Sequence, residues 1–175
     1  MRNFLFLTTI ALFFFCAACT TAEKPGGLSA TAQKNLDAFY TVDSAFQSGD
    51  LSRIDDAVAS DFVDHTPYGD WNRDSLKTMI TKMKTAGNMK SEIRKVLADD
   101  EYVMGWLRWS GTSDGSIPGM PAGPFNMSGV EVVRFKDGKA VEHWAFMDAV
   151  EAMKMMSPSQ QTTPSTNPTS TDKSN

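Results

Sequence analysis

The chain has 175 residues, 41% of them hydrophobic, and its 17 Lys and Arg against 21 Asp and Glu give a formal net charge of −4. That balance argues against nucleic acid as a partner and against docking on anionic membranes by charge alone. The only two cysteines, Cys16 and Cys19, lie near the N-terminus, so the rest of the chain has no thiol nucleophile, disulfide or Cys-ligated metal.

The first segment reads as a secretion signal. Arg2 supplies a positive start, and Phe4 to Phe15 is apolar apart from two threonines. About twelve such residues are too few to span a bilayer, which takes about twenty. Cys16-Ala17-Ala18-Cys19 resembles the lipobox of bacterial lipoproteins, with Cys19 as the acylated residue. The expected organisation is a lipoprotein signal peptide over 1–18, a tether over 19–27 and one folded domain over 28–156. A Ser/Thr/Pro-rich tail over 157–175 lacks the apolar surface needed to offset ordering. The expected location is the bacterial cell envelope, on a lipid anchor.

Within the domain, Ser29 to Gln47 has a helical stripe of Leu36, Phe39, Tyr40, Val42 and Phe46. Asp50 reads as the cap of a second, shorter helix carrying Leu51, Ile54, Ala57 and Val58. Phe62 to His65 is extended, and Thr66-Pro67-Tyr68-Gly69 is a turn. Asn72 caps a third helix, Arg73 to Ala86, stopped at Gly87-Asn88. The period then changes to that of strands: Met89 to Leu97, Tyr102 to Gly111, Phe125 to Phe135 and Lys139 to Phe146, with a Gly/Pro loop around Met120. A last helical turn covers Ala149 to Met156. Helices followed by a run of antiparallel strands predict an α+β fold.

Asp137-Gly138 predicts a two-residue hairpin turn, both positions needing positive φ. Counting outward without interruption sets Val133 against Glu142, Glu131 against Trp144 and Gly129 against Phe146. Glu131, Trp144, Phe146 and Asp148 then share one face, and His143 falls on the other. Acids beside aromatics on a covered face predict a small-molecule pocket. Asp148 is a candidate general base or, equally, the cap of the following helix. Glu131 lines the same face about 13 Å away, too far for a carboxylate dyad. Trp144, Phe146 and Met120 are candidate substrate contacts, and His65 stands where a side chain can enter a pocket mouth or bond the loop. Asp61, Asp64 and His65 read as a solvated loop rather than a metal site. Gly111 to Gly115 matches G-x-S-x-G, but the Pro/Gly sequence after it cannot begin the helix that motif needs.

The segments SGDLSRIDDAVASDFVDHTP and GVEVVRFKDGKAVEHWAFMD resemble the SnoaL-like branch of the NTF2-like superfamily. The resemblance implies a conical α+β barrel, a curved antiparallel sheet wrapped around three helices, with dimerisation through the outer sheet face. It implies that Asp148 is the catalytic acid or base, that Glu131 faces the pocket and that His65 is a family histidine. The expected activity is cofactor-free cyclase, isomerase or hydrolase chemistry on a small apolar carbonyl compound. The alternative is a binding protein that holds a small hydrophobic ligand without turnover.

Overall fold

A computed structural model describes residues 27–156 except Pro118. The expected signal peptide, Cys19, most of the tether and the tail lie outside the described residues. Among those described, no helix is long and apolar enough to cross a membrane.

Helix α1 spans Ala30–Ser48 and starts on Ser29, whose hydroxyl accepts from the Ala32 amide. It ends at Gly49, where φ of 79° gives the left-handed turn that glycine adopts without penalty. The second helix, α2, is only Ile54–Ala57 and begins after Arg53. Asp50 is not its cap; the carboxylate accepts from the Ser52 amide in a local turn. Strand β1 runs Val58–Thr66, and β2, Gly69–Trp71, folds back on it. Helix α3, Arg73–Ala86, is capped by Asn72, which accepts from the Ser75 amide. Strands β3 (Lys90–Ala98), β4 (Tyr102–Ser113), β5 (Gly123–Lys136) and β6 (Lys139–Met147) follow, then α4, Ala149–Met156.

The strands form one sheet in the order β2-β1-β6-β5-β4-β3. All neighbours are antiparallel except β1 and β6, which run parallel. That pairing brings the first half of the chain beside the last strand. The α+β class holds, but the conical barrel does not. The sheet is open and not strongly curled, with β2 and β3 at opposite edges. Strand β2 has three residues before the chain turns into α3, so it offers almost no ladder for closure. Helix α1 packs on β3 and β4, and α3 packs on β1.

One face of the sheet meets these helices. Val103, Leu107 and Trp109 of β4 and Phe125, Met127, Val133 and Phe135 of β5 are buried there with Phe39, Ile54, Leu76 and Ile80. The opposite face shows Met104, Trp106, Leu97 and Phe146, each more than two-fifths exposed. Strand β4 is thus apolar on both sides, as its sequence predicts.

Asn35 ties the helical layer to the sheet. It is fully buried, and its Nδ2 donates to the carbonyls of Asp99 and Asp100 in the β3–β4 turn. Asp99 holds that turn by accepting from the amides of Glu101 and Tyr102. Asn35→Ala removes both hydrogen bonds and is expected to lower the unfolding free energy by about 1–3 kcal/mol. Urea denaturation with an unchanged m-value measures this; a midpoint equal to wild type would deny Asn35 that role.

Candidate functional site

The β5–β6 hairpin has the predicted turn. Asp137 and Gly138 have φ of 55° and 77°, and Lys136 and Phe135 face Lys139 and Ala140. The ladder then slips by one. Arg134 pairs with Glu142, so Val141 is an extra residue in β6, a β-bulge. Beyond it Val133 faces His143, Val132 faces Trp144, Glu131 faces Ala145 and Gly129 faces Met147.

This slip reverses the predicted faces of β6. His143, Ala145 and Met147 turn toward the helices with Glu131. Trp144 and Phe146 go to the outer face, where Trp144 stacks on His65 with ring centroids 4.9 Å apart. A signal for the slip exists in the sequence. Unbroken register sets Arg134 against Val141, whereas one extra residue sets it against Glu142, and opposite charges favour facing positions. The ion pair forms: Arg134 Nε lies 2.5 Å from Glu142 Oε2.

The residues expected to act together are therefore dispersed. His65 is on the outer face, its Nδ1 3.0 Å from Asp70 Oδ1. Met120 is buried in the core, its carbonyl accepting from the Ser113 hydroxyl. Phe146 is 59% exposed. Asp148 is exposed and caps α4, its Oδ1 accepting from the amides of Val150 and Glu151 at 2.9 Å. Its own amide donates to Ser128, three residues along β5 from Glu131 and so about 10 Å away. Asp64 and His65 alternate along β1 and point to opposite faces, and no three metal-ligating side chains converge among the described residues.

The helix-facing side instead gathers Glu131, His143 and Asp64. Parallel pairing sets Asp64 level with His143, and His143 Nδ1 lies 2.8 Å from Asp64 Oδ1. Asp64 is itself buried. Glu131 is the diagonal neighbour of His143 across the hairpin, a separation of about 7–8 Å between backbones that side chains can bridge. The Asp64 contact engages the Nδ1 side of the ring and leaves Nε2 outside that hydrogen bond.

Burial pushes the Glu131 carboxyl above its ordinary range; His143 opposes this, while Asp43 and Asp64 add to it. Burial alone would lower the pKa of His143. The hydrogen bond to Asp64, with the charges of Glu131 and Asp64, outweighs burial and raises it. Both groups are thus raised, one by burial and the other by the carboxylates around it.

Both groups open on accessible space. Among the described residues, the fully buried side-chain polar atoms without a hydrogen bond are Asn35 Oδ1 and Arg73 Nε. The Glu131 carboxylate and His143 Nε2 make no hydrogen bond to protein and are not among them. They line a recess. A separate groove of about 360 Å³ runs between α1 and β3, past Leu36, Tyr40, Ile93 and Arg94, and includes none of these three residues.

The electrostatics fix a sign. A histidine whose folded-state value exceeds the ordinary 6.5 contributes stability that is complete below that pH and lost as pH rises through the folded-state value. In an NMR titration His143 is expected to keep its proton to higher pH than a free imidazole. Asp64→Asn and Glu131→Gln should each lower its midpoint, and a midpoint indifferent to both changes would contradict the arrangement.

The comparisons agree with this geometry at the level of fold. No curated protein matches the chain. Among solved structures, IdmH of Streptomyces antibioticus, described as a candidate polyketide cyclase, shares 23% identity at a TM-score of 0.58, covering 69% of this chain and 96% of its own. TsrD of Streptomyces laurentii shares 19% at 0.60, covering 74% and 97%. An LEH-like epoxide hydrolase of M. tuberculosis shares 15% at 0.58, covering 70% and 89%. A family profile described as SnoaL-like polyketide cyclase matches residues 36–156, well over half of the sequence. The chain belongs to the SnoaL-like polyketide cyclase family, within the NTF2-like superfamily.

Proposed function

We propose that the protein performs cofactor-free proton transfer on a small, largely apolar carbonyl compound held in the recess beside Glu131 and His143. The observation that carries this reading is the Asp64–His143 hydrogen bond with Glu131 diagonally across from it. Family membership supports small-molecule chemistry of this general kind.

The roles follow from the electrostatics. A carboxylate with a raised pKa is a stronger base than an ordinary one. Glu131 takes the proton α to the carbonyl, and the C–H electron pair moves into an enolate. His143, protonated and held by Asp64, donates from Nε2 to the enolate oxygen, where charge develops. Return of the proton at another carbon is an isomerisation; attack of the enolate carbon on a second carbonyl of the same molecule closes a ring. Asp148, occupied as a helix cap, has no place in these steps.

Glu131→Gln is expected to abolish deuterium incorporation into small cyclic ketones in D₂O, a loss of about 10²-fold or more for a general base. Asp148→Asn, which preserves a capping side chain, should retain it. Exchange lost on Asp148→Asn and kept on Glu131→Gln would overturn the assignment.

We propose, further, that the protein works at the cell envelope on a lipid carried by Cys19, and that two copies meet through the outer sheet face. The support for the first is the Arg2 to Cys19 sequence. The support for the second is the row of Leu97, Met104, Trp106 and Phe146, large apolar side chains exposed together on one sheet face. Light scattering should then give a dimeric mass for wild type and a monomeric one for Trp106→Glu. A monomeric wild type would remove the interface.

A further inference from the structure

The helix-facing side of the sheet is buried almost everywhere, which makes the exposure of two of its residues informative. Ala145 and Met147 point inward with His143 and Glu131, yet Ala145 is exposed and Met147 is 49% exposed. On the β4 side of Glu131 the space is filled. A Cβ on Gly105, directly opposite Glu131, would lie 2.7 Å from Phe39 Cζ, and one on Gly129 would lie 2.8 Å from the Trp109 ring. On the β6 side the opposing residue is Ala145, with no side chain beyond its methyl. The pairing of β1 with β6 reaches His65 and Trp144, and β1 ends one residue later at Thr66, so strand cover on that flank stops beside Ala145. The recess is thus walled by Phe39 and Trp109 on one side and open on the other.

We infer that Ala145 is the gatekeeper of this recess: its small side chain, directly across from Glu131, leaves the passage by which a substrate reaches Glu131 and His143. The passage has apolar sides, Ala145 and Met147, and an end that carries Glu131 and Asp64. It suits a slender, uncharged molecule and disfavours an anion, whose charge those carboxylates oppose. As a statement about specificity this rests on the proton-transfer reading; as a statement about access it does not.

Diethyl pyrocarbonate tests the passage without any substrate. The reagent acylates the unprotonated nitrogen of a neutral imidazole: that nitrogen forms the N–C bond, the other ring nitrogen gives up its proton, and the ethyl carbonate that leaves takes up a proton and breaks down to ethanol and carbon dioxide. The chain has only two histidines. His143 reports the recess, and His65, stacked on Trp144 on the outer face, is the internal control. Peptide mass spectrometry of the full chain, in one alkaline buffer, follows both rates. Ala145→Leu and Ala145→Phe are expected to slow His143 by about tenfold, since only local opening then admits the reagent, with His65 unchanged. Met147→Ala should speed His143. An unchanged His143 rate in both larger variants would overturn the inference. Should both unfold, seen as acceleration at His65 as well, Met147→Ala decides: faster modification of His143 alone upholds the passage, and an unchanged rate overturns it. A slowed His143 with no proton exchange on any ketone would leave the gate standing and remove the proposed reaction.

Discussion

The extra residue at Val141 is the constraint on which the site depends. Side chains alternate along a strand, so one inserted residue exchanges the two faces of everything beyond it. Without the bulge His143 would lie outside beside His65, and Trp144 would stand where Asp64 now finds its partner. With it, the Arg134–Glu142 ion pair closes on the outer face and His143 turns inward to Asp64. The ion pair is too exposed to contribute much stability. Its effect is on register, which the buried inward residues Val133 and Phe135 then hold in place.

The electrostatic consequence is that a histidine holds its proton more tightly than burial alone would allow. Two carboxylates, one in contact and one diagonal, supply the compensation. The same burial keeps Glu131 basic. Neither group could be tuned in this way on the outer face, where water would screen both. The two sides of the sheet are therefore different kinds of surface: one enclosed and acidic around a single base, the other broad, apolar and aromatic.

Much of the architecture is legible in the chain because it is set locally. Asn72 with its following apolar stripe marks α3 to the residue, and Asp137-Gly138 fixes the hairpin turn through positive φ. The α+β class follows from the order of periodicities. What is not legible is non-local. The parallel pairing of β1 with β6 and the absence of closure between β2 and β3 depend on contacts between distant segments, which no window of sequence contains. For the site, Glu131 is identifiable as an inward acid. His143 and Asp64 are not, because the bulge lies within a run whose alternation looks uninterrupted, and only the Arg134–Glu142 match discloses it. Asp148 illustrates the reverse case, since a carboxylate before a helical turn has a ready structural role, and the amides of Val150 and Glu151 occupy it.

The parallel pairing also sets when the site can exist. Asp64 and His143 are 79 residues apart in the chain, and β1 has no long strand partner until β6 is made. During synthesis the helices and the β3–β4–β5 meander are available first, while β1, bearing Asp64, waits with only the short β2 beside it. Closing so long a loop is entropically costly and slow. The enclosed acid–base pair is thus among the last features to assemble, and until then β1 presents an unpaired strand edge to neighbouring chains. Export before folding would carry this protein across a membrane in the state in which that edge is most exposed.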